Sequence, residues 1–305
     1  MEKTTVIVIT GPTASGKTSV SIELAKKING EIISADSMQI YKEMDIGTAK
    51  ATKEEKQNIP HYMLDVVAPN ESFSVAKFKK MAEKHIKEII KKGKTPIVVG
   101  GTGLYIDTLI YGIEYPEIEI DYEYRKELEN EIENKGLEYL YKQLKEIDPE
   151  ATEKISINDK KRIMRGLEIY KATGKTKTEQ EKLSKINPVE FNYKVFCLDL
   201  DREILYDRIN KRVDIMLQNG LAEEVKTILN KYKDFPTAMQ GLGYKEVKEY
   251  LDGNTSLEEM TEKLKMETRR YAKRQLTWFR KNKEIVWVKP DVGADSISAQ
   301  ISELP

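Results

Sequence analysis

Gly11-Pro12-Thr13-Ala14-Ser15-Gly16-Lys17-Thr18 is the segment whose residue types and spacing carry the most chemistry. Gly11 and Gly16 let the backbone curl so that several N–H groups converge on one oxyanion, and a helix opening at Lys17 would turn its positive end toward the same point. Lys17 adds a cation on a long stem, and Thr18 adds a hydroxyl suited to Mg²⁺. The flanks fit, because the apolar run 6–9 precedes the loop as a strand, while Val20, Ile22, Leu24 and Ala25 follow it with helical spacing. The expectation is a phosphate-binding loop.

Other polar candidates sit on the elements that would position them. Gly30 is expected to end the first helix, and 31–34 to form a short strand delivering Asp36-Ser37-Met38-Gln39 into a loop. An acid at the carboxyl end of a parallel strand lies beside the phosphate crevice, although an Asp at that point also serves as the cap of the next turn. Residues 40–50 read as a polar, irregular segment too long for a tight turn, and 61–67 as another strand. Ser74 is placed as the cap of a helix reaching Lys92. His85 falls on its lysine-rich outer side and does not pair with His61, so no metal site follows. Pro96-Ile97-Val98-Val99 reads as a buried strand ending in Gly100-Gly101-Thr102-Gly103, whose glycines are expected to leave room for a substrate with Thr102 directed at it.

Composition bounds the possibilities. The chain has 305 residues with 39% hydrophobic, enough for a substantial core and more than one domain. Lys and Arg total 51 and Asp and Glu total 51, so only a local patch can argue for nucleic acid. The sole cysteine, Cys197, excludes an intramolecular disulfide and a cysteine metal cluster and suits a reducing cytoplasm. No leader and no membrane-spanning run is expected, hence a soluble protein.

From about residue 117 the alternation of strands and helices gives way to charged helices, acidic over 117–153 and basic over 154–185. Asn158-Asp159 is read as the cap of a basic helix carrying Lys160, Lys161, Arg162 and Arg165, with Ile163, Leu167 and Tyr170 packing, and the stretch after Gly174 as a mobile loop. Strand character returns at 193–200. Among Arg202, Arg208, Lys211 and Arg212 on the following helix, spacing does not say which turns to a phosphate. The last long helix begins near Ser256, with Met260, Leu264, Tyr271 and Trp278 as packing positions. Residues 269–283 carry lysines and arginines and no acid, with Arg270, Arg274, Thr277 and Lys281 on one face as a track for a phosphate backbone.

The ordered set of motifs resembles the tRNA dimethylallyltransferase family. It comprises 11–18, Asp36-Ser37-Met38-Gln39-Ile40-Tyr41 running into Asp45-Ile46-Gly47-Thr48-Ala49-Lys50, Gly100-Gly101-Thr102-Gly103-Leu104-Tyr105, Asn158-Asp159-Lys160-Lys161-Arg162, Gly243-Tyr244-Lys245-Glu246, and 273–280. The resemblance implies an α/β fold, a P-loop NTPase-like parallel sheet flanked by helices, with an all-helical inserted domain. The core would occupy 1–115 and 191–305, the latter ending in the basic helix, and a tRNA-contacting insertion would occupy 116–190. The implied reaction moves a dimethylallyl group from its diphosphate to the N6 amine of the adenosine just 3′ of a tRNA anticodon, without ATP.

The resemblance also implies roles. Gly11, Pro12, Thr13, Ala14, Ser15, Gly16, Lys17 and Thr18 would bind diphosphate, with Mg²⁺ on Thr18. Asp36 would be the base, Thr13 and Thr102 would position reactants, and Arg212 would stabilise the departing diphosphate. Contacts to the tRNA anticodon stem-loop would come from Asp36, Ser37, Met38, Gln39, Lys161, Arg162, Arg165, Gly243, Tyr244, Lys245, Lys273, Arg274, Gln275, Thr277, Trp278 and Arg280. A cytoplasmic monomer with no membrane partner is expected. A small-molecule P-loop kinase, a prenyltransferase of free adenine nucleotides and an NTP-switched binding protein share parts of this pattern, and the basic stretches set the tRNA reading apart from the kinase.

Overall fold

A computed structural model describes residues 3–118, 121–184 and 189–302. Residues 119–120 and 185–188, within the expected insertion, lie outside the described residues. In chain order the elements are β1 (Thr5–Thr10), α1 (Lys17–Lys27), β2 (Gly30–Ser34), α2 (Lys53–Lys56), β3 (His61–Tyr62), α3 (Val75–Lys91), β4 (Thr95–Val99) and α4 (Gly103–Ile110). Five helices follow: α5 (Tyr122–Lys135), α6 (Leu137–Ile147), α7 (Pro149–Thr152), α8 (Lys160–Thr173) and α9 (Lys177–Ser184). The rest is β5 (Asn192–Leu198), α10 (Arg202–Gln218), α11 (Leu221–Lys231), α12 (Tyr244–Leu251), α13 (Leu257–Phe279), β6 (Val286–Val288) and α14 (Gly293–Ser302). The chain forms two compact units, Met1–Ile110 with Glu190–Pro305, and Tyr111–Val189. No helix among the described residues is long and apolar enough to cross a membrane.

The first unit holds a six-stranded sheet in the order β3-β2-β4-β1-β5-β6, parallel throughout. Its central strands are apolar on both faces, as a sheet covered by helices on either side requires. Phe78, Ala82, Ile86 and Ile89 of α3, with Ile106 and Leu109 of α4, cover one face. Val20 and Leu24 of α1, with Ala294 and Ile297 of α14, cover the other. Register pairs Ile9 with Val99, Ser34 with Val99 and Thr10 with Cys197, so the loops after β1, β2, β4 and β5 emerge along one edge.

Several local expectations are corrected. Gly30 lies inside β2, where a Cβ would stand 2.6 Å from Ile97 Cδ1, and the reversal after α1 is made by Asn29 at φ 51°. The strand at 61–67 is only His61–Tyr62, because Met63 and Asp65 take left-handed φ values of 63° and 56° and turn the chain away. Residues 40–50 are irregular but not merely polar: Ile40, Tyr41 and Met44 are fully buried against Val225, Tyr244, Val247, Met260 and Leu264. Each such side chain withdrawn from water contributes about 1.5–3 kcal/mol, which holds an extended loop on a fixed course. His85 is half-buried, stacked on Tyr62 at 4.7 Å, with Nδ1 3.0 Å from Glu88. The buried face of α13 runs through Met260, Leu264, Thr268, Ala272, Gln275 and Phe279, leaving Tyr271 half-buried and Trp278 exposed.

The second unit is all-helical around Leu128, Leu140, Leu144, Ile163 and Leu167. Gly166 is needed there, because a Cβ would lie 2.7 Å from Leu144 Cδ1. Asp159 caps α8 by accepting the Arg162 N–H at 3.1 Å. Tyr170 is 40% exposed rather than packed. The stretch after Gly174 is the helix α9, capped reciprocally where Thr176 N–H donates to Glu179 at 2.7 Å and Glu179 N–H donates to Thr176 Oγ1 at 3.0 Å.

Candidate active site

The loop between β1 and α1 begins with Gly11 at φ 142° and ends with Gly16 at φ 94°, and Ala14 is also left-handed at φ 63°. Lys17 folds over the loop and donates to the carbonyls of Gly11 at 2.9 Å and Pro12 at 2.7 Å. Burial first, and then the nearby Arg212 guanidinium, pull its pKa down to about 8, against the opposing pull of Asp36. Ser15 Oγ is buried with no hydrogen-bond partner among the described residues. A buried hydroxyl left without a partner costs about 1–3 kcal/mol. With a lysine held charged at such expense beside it, the loop is made for an anion.

Thr13, Asp36, Arg212, Met216 and Tyr271 line two cavities, of about 640 Å³ and about 420 Å³, at this edge of the sheet. Lys17, Ser15 and Thr18 line the larger, and Met38, Leu242, Gly243 and Arg274 the smaller. Of the basic residues weighed on α10, Arg212 is the one that lines both. Its pKa is lowered by burial, partly offset by Glu55.

Asp36 is both a turn cap and a cleft residue. Its Oδ1 accepts the N–H groups of Met38 at 2.9 Å and Gln39 at 3.3 Å, which orients the carboxylate in the cleft. Thr102 Oγ1 accepts the Ser37 N–H at 3.0 Å and donates to Ser37 Oγ at 3.3 Å, so the glycine loop steadies the Asp36 turn. The glycines of that loop make room for the protein itself. A Cβ on Gly100 would collide with the Ala35 carbonyl, one on Gly101 with the Gln275 amide, and one on Gly103 would lie 2.5 Å from the Trp278 ring.

Three residues expected at the tRNA surface, Tyr244, Gln275 and Gly243, are buried. Tyr244 is 0% exposed and donates to Glu224 Oε1 at 2.6 Å, and Gln275 is 6% exposed with both amide atoms engaged inside the protein. Gln39 is half-buried, accepting from Ser34 Oγ at 3.2 Å and donating to the Thr48 carbonyl at 3.1 Å. Gly243, at φ 94°, is buried at the start of α12. Lys245, Lys273, Arg274, Thr277, Trp278 and Arg280 are exposed, and Trp278 Nε1–H donates to Asp107 at 3.0 Å. In the other unit Lys161 is exposed, Arg162 stands 3.4 Å from Asp159, and Arg165 stands 3.4 Å from Glu168, a buried carboxylate that Arg125 already grips.

Spacing assigns no role to Glu224 and makes Tyr271 a packing position, yet both bear on the site. Glu224 of α11 accepts the backbone N–H groups of Asp45 at 2.9 Å, Ile46 at 2.7 Å and Gly47 at 3.1 Å, besides the Tyr244 hydroxyl. It thereby holds the loop whose Thr48 and Ala49 line both cavities. Tyr271, a packing position by its spacing, lines both cavities, and its one-turn spacing from Gln275 is the available signal.

A glycine loop between a strand and a helix at the carboxyl edge of a parallel sheet defines an α/β protein of the P-loop class. A family model described as IPP transferase matches residues 39–282, and the chain belongs to that family. The tRNA dimethylallyltransferase of Acetivibrio thermocellus is 56% identical over 287 residues, covering 94% of this chain and 92% of that protein. The crystal structure of the tRNA isopentenylpyrophosphate transferase of Bacillus halodurans aligns with a TM-score of 0.73 at 42% identity, covering 99% of this chain and 96% of that one. A eukaryotic dimethylallyltransferase, solved acting on tRNA, aligns with a TM-score of 0.80 at 32% identity, covering 99% of this chain and 80% of that one.

Proposed function

We propose that the chain transfers the dimethylallyl group of dimethylallyl diphosphate to the exocyclic N6 amine of the adenosine immediately 3′ of the anticodon in tRNA, releasing diphosphate. The observation that carries the reading is that Asp36, Thr13 and Arg212 line both cavities while Lys17 lines only the larger. Donor diphosphate in the larger cavity and an extruded adenine in the smaller would therefore meet at Asp36. The amine nitrogen bonds to the first carbon of the dimethylallyl group, the carbon–oxygen bond to diphosphate breaks, and the electron pair leaves on that oxygen. The amine proton passes to Asp36, on the carboxylate oxygen that does not cap the turn. Lys17, Arg212 and the loop N–H groups stabilise the charge that develops on the leaving group.

Mg²⁺ suits this donor set. The partnerless Ser15 hydroxyl and the exposed Thr18 stand beside the anion loop, and no group of three His, Cys, Asp or Glu able to hold a metal occurs among the described residues. Thr18 and the diphosphate oxygens would hold the ion, which supplies charge neutralisation when bound. Arg274, Lys273 and Lys245 offer cations to the anticodon stem-loop on one unit, and Lys161, Arg162 and Arg165 on the other. The protein is proposed to act as a cytoplasmic monomer.

The test is incubation with labelled dimethylallyl diphosphate, Mg²⁺ and unmodified tRNA in the absence of ATP. Label entering tRNA is the expected result. In parallel incubations supplied with AMP or ATP, label entering the free nucleotide and not tRNA would support a free-nucleotide prenyltransferase, and phosphate transfer dependent on the added ATP would support a kinase.

A further inference from the structure

Gln275 is the buried polar residue that joins the parts of this site. It sits on the inner face of α13, about one turn before the last residue of the helix, and both ends of its amide are engaged. Oε1 accepts the N–H of Thr13 at 2.8 Å and Nε2 donates to the carbonyl of Gly101 at 2.9 Å. Tyr271, one turn earlier on the same helix, lines the larger cavity together with Gln275. The glycine loop is cut to fit this side chain, since a Cβ on Gly101 would overlap its amide nitrogen.

We infer that Gln275 is a positioning residue for the transfer, a strut that fixes the separation of the phosphate loop and the glycine loop and with it the placement of Thr13 and Thr102 around Asp36. Only a primary amide of this length does this. One end must accept from a backbone N–H and the other must donate to a backbone C=O. A carboxylate satisfies Thr13 but sets an acceptor against the Gly101 carbonyl and a negative charge beside the diphosphate. A leucine leaves both backbone groups unpaired. The role differs from a tRNA contact, which the burial of the side chain does not permit.

The inference rests on the proposed transferase reaction, so its test has a part that does not depend on turnover. In Gln275→Glu, the introduced carboxyl is neutral when protonated and can then donate to Gly101 while accepting from Thr13, restoring the pattern of the amide. Burial and the facing carbonyl raise its pKa, so recovery is expected within reach of mildly acidic pH. Pyrophosphate binding by calorimetry should be at least tenfold weaker than wild type at neutral pH and should approach wild type as the pH falls. The single-turnover rate relative to wild type at the same pH should follow. Gln275→Leu should be weak at every pH, and both variants should bind tRNA with wild-type affinity and salt dependence. Pyrophosphate affinity equal to wild type, a deficit in Gln275→Glu that does not change with pH, or a selective loss of tRNA binding would each overturn the strut. Failure of the wild-type protein to label tRNA would overturn the transferase reading instead, and the pyrophosphate titration would still decide the role of Gln275.

Discussion

Arg212 and Lys17 direct two positive charges into one cleft, and the guanidinium adds to burial in holding the Lys17 ammonium down to about 8. Bound diphosphate favours the charged lysine and raises that pKa again. Above pH 8 binding must therefore take up a proton, and pyrophosphate affinity should fall by up to about tenfold per pH unit. For folding the sign is opposite: the unfolded chain keeps this lysine protonated up to 10.5, so the group adds stability to the free protein as pH rises past about 8. Calorimetric titration on either side of pH 8 checks the linkage. Lys17→Ala should bind more weakly and lose the pH dependence, whereas an unchanged slope would place the titrating group elsewhere.

Asp36→Asn keeps an oxygen for the Met38 and Gln39 amides but cannot take the amine proton. Single-turnover transfer should slow by roughly 10²–10⁴-fold, with tRNA and diphosphate affinities near wild type. Equal losses in binding with no loss in the chemical step would reduce Asp36 to the cap of its turn.

Glu224→Ala removes the acceptor for three successive loop N–H groups and the Tyr244 hydroxyl. Leaving such groups unpaired should lower stability by about 1–3 kcal/mol in denaturant unfolding and slow transfer as well. Tyr244→Phe, which spares the backbone bonds, should cost less. A wild-type unfolding midpoint in Glu224→Ala would show that the loop holds its course without the latch.

The parts of this molecule legible in sequence are those whose signals are local. The apolar run before Gly11 and the lysine after Gly16 identify β1, the phosphate loop and α1 without reference to distant residues. Ser74 and Asp159 mark the starts of α3 and α8 for the same reason. The Thr176 and Glu179 pair was equally local and would have replaced the expected loop with α9. What pattern cannot carry is who fills the space beside a glycine. Gly101 and Gly103 read as room for a ligand because Gln275 and Trp278 arrive from far along the chain. Glu224 looks like any surface acid on an amphipathic helix until the 45–47 loop folds over it. The turns at Met63 and Asp65 are backbone choices that an apolar pattern does not record.

On α13 and in the turn that follows it, where Lys281 lies, the exposed cations differ in their freedom. Arg270 is paired with Glu267 at 2.6 Å, whereas Arg274 lies over the Tyr271 ring at 5.7 Å and Lys281 over the Trp278 ring at 5.6 Å. Arg274→Ala and Lys281→Ala should each weaken tRNA binding and reduce the slope of log affinity against log salt by about one. Arg270→Ala should do less, because its charge is already partly neutralised. Filter binding across a salt series separates these outcomes, and unchanged slopes in all three would remove α13 from the tRNA path.

The most direct measurement is the identity and position of the modified nucleoside. Unmodified tRNA incubated with the protein, dimethylallyl diphosphate and Mg²⁺ is digested to oligonucleotides and read by mass spectrometry, with Asp36→Asn run alongside. The expected product is N6-dimethylallyladenosine at the single position 3′ of the anticodon, formed by the wild type and nearly absent with the variant over the same time. Unmodified tRNA after complete incubation, or dimethylallyl groups scattered over other adenosines, would contradict the assignment of this cleft.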